Sequence, residues 1–165
     1  MMERKAIILD LDNTISDDSW RIPKISWESA NPLTRYHNYH LLAGFDEAKN
    51  SELWEMCEEE EIEIYIFTAR PSIYQAISME WLERKGIKYE AMFMRPDDNH
   101  SKSVELKKQQ LYNLFNKFDL NPSNIIGAYD DREDVIKMYR ENNVAGQRVC
   151  IHNICAYTSP IGDHK

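Results

Sequence analysis

Five strand-length apolar runs alternate with helix-length segments along this chain, and that alternation limits the fold more than any other feature of the sequence. Several of the runs are rich in β-branched residues, as strands are. They are residues 6–9, 62–67, 89–93, 124–129 and 148–151. Strands that alternate with helices predict a mostly parallel five-stranded sheet with helices on both faces, which is an α/β three-layer sandwich of the Rossmann-like type.

Apolar residues recur at helical spacing in four segments between these runs. Pro71 stands near the start of the second segment and Gly86 follows its end, as is typical of helix boundaries. The predicted helices cover residues 53–57, 73–82, 111–118 and 135–139. Each lies between two predicted strands, so we expect the helices to be the crossovers of a parallel sheet.

The segment 15–50, after the first strand, breaks this alternation. It is rich in aromatic and histidine side chains and contains two prolines. We expect a small insertion, a cap or flap that folds over the strand ends, with a short helix at 33–42. Two interpretations stay open: the insertion is a lid or substrate platform, or its aromatic residues only pack it onto the core.

Length and charge restrict the possible functions. A chain of 165 residues predicts one domain, which we place at 1–155 with a tail at 156–165. The net charge of −8 argues against wrapping of nucleic acid but leaves room for a pocket that binds one phosphate. No apolar run is long enough to cross a bilayer, and no signal peptide is recognisable. The sequence predicts a cytoplasmic protein without a membrane partner, and it gives no indication of an oligomeric state.

Charged and hydroxyl side chains follow four of the predicted strands, at the point where each strand ends. Ligands of parallel sheets bind outside the carboxyl ends of the strands, so we expect these residues to form one site. In chain order they are Asp10, Asp12, Thr68, Ala69, Arg70, Arg95, Asp130 and Asp131.

Two pairs of acids, Asp10 with Asp12 and Asp130 with Asp131, would bring four carboxylates together. Such a cluster requires a counter-cation, and oxygen ligands without a nearby His or Cys suit Mg²⁺. Alone, the first pair is better explained by a helix cap or a turn, but a second pair at another strand end argues against capping. One carboxylate of such a pair can attack phosphorus while its neighbour transfers a proton.

Three residues after the second strand, Thr68, Ala69 and Arg70, suit a phosphate group. The Thr68 hydroxyl and the backbone N–H groups that follow it could hold a phosphate oxygen at the start of the next helix. A plain N-cap threonine is the simpler explanation, and the two roles are compatible. Arg70 and Arg95 are further candidates for contact with phosphate.

A lysine, Lys107, is in phase with Leu111 and Phe118 on a helix face that should be apolar. A buried lysine is costly unless it is paired, and a contact with Asp10 and a phosphoryl oxygen would pair it. Alternatively its ammonium extends to the surface. Lys102, in the preceding loop, is the second candidate for the same role.

The order of these motifs resembles the haloacid dehalogenase (HAD) superfamily of phosphohydrolases: Asp-x-Asp-x-Thr after a strand, Thr after a strand, a helical Lys, and Asp-Asp after a strand. The likeness spans about residues 5–151. The runs 94–98, 103–108 and 128–139 look like the 3′-phosphatase domain of phage-type polynucleotide kinases. The resemblance implies a Mg²⁺-dependent phosphomonoesterase that works through an aspartyl-phosphate intermediate.

The resemblance also implies a role for each motif residue. Asp10 would be the nucleophile, Asp12 the general acid and base, Thr68 the phosphate binder and Lys107 the stabiliser of charge.

The implied metal site joins both acid pairs. Asp130 would hold Mg²⁺ together with Asp10 and the backbone carbonyl of Asp12, and Asp131 would support it. Asp134 is an alternative to Asp131, because superfamily members vary at that position.

The substrate stays open between a phosphorylated nucleic-acid end and a nucleoside monophosphate, as for a 5′-nucleotidase, or another small phosphomonoester. Asn13 stands where the family commonly has Gly, and the aromatic insertion has no counterpart that we can match to the polynucleotide enzymes. In either case Trp20, Trp27, Tyr36 or Tyr39 could stack on a base. A receiver-like or non-catalytic phosphate-binding module is the alternative from another class, although the motif order argues against a receiver domain.

Overall fold

The computed structural model describes residues 3–152, which form one parallel sheet with helices on both faces. The strands are β1 (Ala6–Leu9), β2 (Glu63–Pro71), β3 (Ala91–Arg95), β4 (Ile125–Asp130) and β5 (Gly146–Arg148). Their order in the sheet is β3-β2-β1-β4-β5, and every pairing is parallel. The predicted α/β fold with a five-stranded sheet is confirmed.

Four α-helices accompany the strands. They are α1 (Pro32–Leu41), α2 (Gln75–Arg84), α3 (Ser103–Phe118) and α4 (Glu133–Glu141). The last three coincide with helices predicted from apolar spacing, and α1 is the short helix predicted inside the insertion. Within residues 3–152, no helix combines the length and the apolar character needed to cross a membrane.

Two predicted elements differ from the structure. Residues 53–57 do not form a helix; a 3₁₀ turn at Ser51–Leu53 is followed by further turns. The run of glutamates at 58–61 explains this, because like charges repel on a helix and acids oppose the dipole at its C-terminal end. The fifth strand lies at Gly146–Arg148 rather than at 148–151. Beyond it the chain turns towards the loop after β1, where the Ile151 N–H donates to the Asn13 carbonyl (3.0 Å).

The apolar core has two halves, one on each face of the sheet. Because side chains alternate along a strand, Ile8 faces α3 and α4 whereas Ile7 and Leu9 face the opposite layer. The first half includes Leu114 of α3, and the second includes Trp81 of α2. Both faces are therefore buried, as expected for a parallel sheet.

The position of β1 decides where functional groups can meet. It is the central strand, with β2 on one side and β4 on the other. Leu9, its last residue, lies opposite Ile66 of β2 and Tyr129 of β4. The residues that come directly after Leu9, Ile66 and Tyr129, some of them still within β2 and β4, consequently lie side by side at one edge of the sheet.

The insertion at 15–50 is packed against that same edge. Ser16 forms isolated bridges with Asp12 and with Ala48, so both ends of the insertion are joined to the loop after β1. Helix α1 begins at Pro32, where the Asn31 side chain accepts a hydrogen bond from the Leu33 N–H (2.9 Å). The predicted tail at 156–165 and the predicted domain limit at 155 lie outside the described residues, so the domain boundaries stay a prediction.

Leu114 provides a test of the core. It is fully buried between α3 and the sheet, so we expect Leu114→Ala to lower the free energy of unfolding by about 2–5 kcal/mol. The measurement is urea unfolding followed by circular dichroism. Gln109→Ala, on the exposed face of the same helix, is the control and should change stability by less than about 0.5 kcal/mol. Equal effects of the two substitutions would contradict the described docking of α3.

Candidate active site

The loop after β1 positions Asp10 at the centre of the site. It is a tight turn in which the Leu11 carbonyl accepts hydrogen bonds from the N–H groups of three residues that follow it, 14–16. Asn13 has a φ of 64°, in the left-handed region that Gly and Asn adopt most readily. This conformation explains why Asn can stand where the family commonly has Gly. The Thr14 hydroxyl donates to Asp10 Oδ2 (2.9 Å) and so orients the carboxylate.

The ammonium of Lys107 lies between two of the predicted acids. Its Nζ is 2.7 Å from Asp10 Oδ1 and also contacts Asp130 Oδ2. Lys107 is fully buried in the first turns of α3. Burial lowers the pKa of Lys107, but Asp10 and Asp130 outweigh this and raise the pKa above its ordinary value. The lysine is therefore charged, and of the two candidate lysines it is the one inside the site; Lys102 is exposed just before α3.

Three carboxylates, those of Asp10, Asp130 and Asp131, offer oxygens that lie within 4.8 Å of one another. All three residues are buried. Burial raises the pKa of Asp130; Lys107 lowers it and Asp131 raises it, and the net direction is upward. Three buried carboxylates that converge in this way form a site that a divalent cation would stabilise. The donors are all oxygen, so the residues present fit Mg²⁺.

The geometry also distinguishes Asp131 from Asp134. Asp131 Oδ2 accepts a hydrogen bond from Asn13 Nδ2 (3.1 Å), which directs it towards the loop after β1. Asp134 instead pairs with Arg132 through two hydrogen bonds of 3.0 and 2.9 Å. Asp134 is outside the group of carboxylates that converge, so the structure brings Asp131 and not Asp134 to the site.

The second acid of the first motif, Asp12, is held by two arginines. Arg70 Nη2 is 2.6 Å from Asp12 Oδ1, and Arg70 Nε is 3.2 Å from Oδ2. Arg21 Nη2 also contacts Asp12 Oδ1. Burial acts to raise the pKa of Asp12, but Arg70 and Arg21 together hold it well below its ordinary value. The Asp12 side chain is therefore charged and turned towards arginines rather than towards the three converging carboxylates.

Arg21 comes from the insertion and is fixed by contacts on several sides. Its Nε and Nη2 donate to Asp46 at 2.9 and 2.7 Å, and its Nη1 donates to the Tyr39 carbonyl (2.9 Å). The guanidinium carbon lies 4.3 Å from the centroid of the Tyr39 ring. Asp46 also accepts a hydrogen bond from the Ser16 hydroxyl (2.5 Å). Arg21 and Asp46 were not predicted as site residues, because the insertion has no periodicity that would show which of its charged residues turn inward.

The residues predicted to bind phosphate take different positions. Thr68 lies within β2, and its hydroxyl accepts a hydrogen bond from the Arg70 N–H (3.1 Å) of the same strand. The simpler expectation of an N-cap threonine is wrong, because the helical turns begin only at Ser72, after Pro71. Arg95 is buried and donates to the carbonyls of Ala69 (3.0 Å), Asn99 (3.1 Å) and Ser101 (2.6 Å). Arg95 thus braces the loop after β3 through backbone carbonyls, which differs from the phosphate contact we expected.

Of the four aromatic candidates for stacking on a base, Tyr39 and Trp20 differ most in their surroundings. Tyr39 is buried, its hydroxyl donates to Asp18 Oδ2 (2.5 Å), and its ring faces Arg21. With its face covered, Tyr39 cannot stack on a base, which corrects the prediction. Trp20 is 46% exposed, and its Nε1 donates to Asp46 Oδ1 (2.9 Å).

Known proteins that are similar to this chain include phosphatase domains and a polynucleotide kinase. The family model for the "Polynucleotide kinase PNKP phosphatase domain" matches residues 4–151. A protein of Autographa californica nuclear polyhedrosis virus, named as a bifunctional polynucleotide kinase/RNA ligase, is 29% identical over 93 residues, which is 56% of this chain and 12% of the viral protein.

Solved structures share the fold. A chain of the Pnkp1/Rnl/Hen1 RNA repair complex superposes with a TM-score of 0.67 at 21% identity, over 88% of this chain and 42% of that one. A predicted phosphatase from Clostridium acetobutylicum has a TM-score of 0.64 at 14% identity, over 87% of this chain and 83% of its own. This chain therefore spans less than half of the viral protein and of the repair-complex chain.

The contact between Arg21 and Asp46 leads to a stability prediction. Asp46→Asn removes the charge opposite a buried guanidinium, so we expect the free energy of unfolding to fall by about 3–5 kcal/mol. Urea unfolding at pH 7 measures this. Glu47→Gln is the matched control, because the neighbouring Glu47 side chain is 78% exposed and its ion pair with Lys49 should contribute little. An Asp46→Asn variant as stable as the wild type would contradict the described role of Asp46.

Proposed function

This chain belongs to the family of polynucleotide kinase phosphatase domains and is a phosphatase of the HAD type. We propose that it hydrolyses a terminal phosphate of a nucleotide or nucleic acid, with Mg²⁺ and through an aspartyl-phosphate intermediate. The observation that carries the proposal is the buried Asp10 carboxylate, oriented by Thr14 and paired with Lys107, beside Asp130 and Asp131. A carboxylate so placed, next to positive charge, suits attack on phosphorus.

In the first step, an oxygen of Asp10 forms a bond to phosphorus while the bond to the leaving oxygen of the substrate breaks. Asp12 gives its proton to that oxygen. In the second step, a water attacks the aspartyl-phosphate and passes a proton to Asp12, which releases inorganic phosphate and restores Asp10. The Lys107 ammonium stabilises the charge that develops on the phosphoryl oxygens.

The metal would be held by Asp10 and Asp130, with the backbone carbonyl of Asp12 and with Asp131 in support. When bound there, Mg²⁺ supplies positive charge next to the transferring phosphoryl group. The convergence of three buried carboxylates, all with oxygen donors, is the physical argument for a divalent ion.

The low pKa of Asp12 sets a condition on its role as an acid. Arg21 and Arg70 keep the Asp12 carboxylate deprotonated, which suits the base of the second step but not the acid of the first. A phosphate group that enters the site would compete with Asp12 for these two guanidinium groups, because a guanidinium group can form two parallel hydrogen bonds with a phosphate as it does with a carboxylate. Loss of these contacts would raise the pKa of Asp12 and allow it to carry the proton.

The most direct test compares substrates and removes the nucleophile. Wild-type protein with Mg²⁺ should release phosphate from at least one of 3′- or 5′-phosphorylated oligonucleotides, mononucleotides and sugar phosphates, and EDTA should stop the reaction until Mg²⁺ is restored. Asp10→Asn keeps the shape of the side chain and should abolish turnover, with circular dichroism as the control for folding. Turnover by the Asp10→Asn variant would exclude Asp10 as the nucleophile, and full activity in EDTA would exclude the metal.

Comparison of two lysine variants tests the stabiliser of charge. Lys107→Ala should reduce kcat by about a hundred- to thousandfold, as loss of a group that stabilises transition-state charge does elsewhere. Lys102→Ala, five residues earlier and exposed, should have a much smaller effect. Melting temperatures of both variants show whether either has lost its fold. A larger loss of kcat in Lys102→Ala would mean that the roles are reversed.

A further inference from the structure

We propose that Trp20 and Phe45 form a binding site for the nucleobase of the substrate nucleotide. This proposal rests on the proposed function, since it concerns the part of the substrate next to the phosphate that is removed. Both residues belong to the insertion, and both are exposed although they are large and apolar: Trp20 by 46% and Phe45 by 77%.

The indole of Trp20 is joined to the catalytic side chains through a short series of contacts. Trp20 Nε1 and Arg21 Nε donate to the same oxygen, Asp46 Oδ1, each at 2.9 Å. Arg21 Nη2 then contacts Asp12 Oδ1. The indole is thus held in one orientation beside the guanidinium that binds Asp12. A base that stacks on it would remain near the site of phosphate transfer.

The two aromatic residues line one open cleft with a volume of about 410 Å³. Its other lining residues are Asp17, Ser19 and Glu47. The aromatic faces offer stacking, which any base accepts. The indole is already fixed by its hydrogen bond to Asp46, so binding would cost little additional side-chain entropy.

The negative charge at the rim of the cleft indicates which part of a nucleotide the cleft would bind. Asp17 and Glu47 at its rim are carboxylates, and they repel the phosphates of a polynucleotide backbone. They can accept hydrogen bonds from the amino groups that adenine, guanine and cytosine carry at their edges. The cleft therefore fits a single base better than a phosphodiester chain, and we expect amino-bearing bases to be preferred over uracil.

The test measures selectivity for a base-bearing substrate. The first substrate is whichever of adenosine 3′- and 5′-monophosphate the wild-type protein hydrolyses with the higher kcat/KM. The second is ribose phosphorylated at the same position, and kcat/KM is measured for each of these two substrates. Trp20→Ala and Phe45→Ala should each lower the ratio of these values about five- to 150-fold, the range expected when stacking on one base is lost. Trp20→Phe keeps an aromatic ring and should retain most of the ratio. Tyr112→Ala is the matched control, because Tyr112 on α3 is also 46% exposed and lies outside the insertion.

A second measurement keeps this proposal separate from the proposed function. Adenosine, which has no phosphate, is titrated into wild-type protein and Phe45→Ala by calorimetry. Weaker binding to Phe45→Ala, with Tyr112→Ala unchanged, supports the base site even if no phosphatase activity is found. An active wild-type enzyme that does not distinguish adenosine monophosphate from ribose phosphate would overturn the base site and leave the phosphatase intact. Equal losses for both substrates in Phe45→Ala would also overturn it.

Discussion

The interaction on which the site depends is the contact of Lys107 with Asp10 and Asp130. The carboxylates come from β1 and β4, whereas the ammonium comes from α3, so the contact exists only if the helix docks on the sheet in one register. Leu111 and Leu114 on the same helix face fix that register by apolar packing. Burial of a lysine would be costly without its acids, and burial of the acids would be costly without the lysine. Folding and the proposed catalysis would thus depend on the same contact.

The site contains a second, balanced group of charges beside the first. Asp12 and Asp46 face Arg21 and Arg70, with two charges of each sign. The group around Lys107 instead contains three converging carboxylates, which a divalent cation would stabilise. Under the proposed function this difference would separate two tasks, metal binding in the group around Lys107 and control of the protonation of Asp12 in the balanced group.

Sequence reasoning predicted the sheet and the acids well, because strand periodicity and parallel topology bring strand ends to one edge. It placed Lys107 correctly on the buried face of its helix from its phase with Leu111. It missed Arg21 because the residue lies in a short 3₁₀ helix (Ser19–Lys24) of the insertion, which has no apolar periodicity and whose path depends on tertiary contacts such as those of Asp46. Tyr39 lies on the helix predicted at 33–42, but the sequence does not show which face of that helix packs inward, so Tyr39 was expected to stack on a base although it is buried.

Of the two interpretations that the sequence of the insertion left open, packing is seen in several of its aromatic residues, and contact with the substrate is part of the proposal for Trp20 and Phe45. Trp27 and Tyr36 pack edge to face (5.9 Å between ring centroids), and Tyr39 packs on Arg21, so these rings hold the arginine against Asp12. Trp20, at the neighbouring position of the same turn, is 46% exposed while its indole N–H is bonded to Asp46. A segment that positions a catalytic group from one side can therefore contact the substrate from the other. Since its rim is acidic, such a segment would select nucleotides through their bases and not through additional phosphates, which is consistent with a chain that carries a net charge of −8.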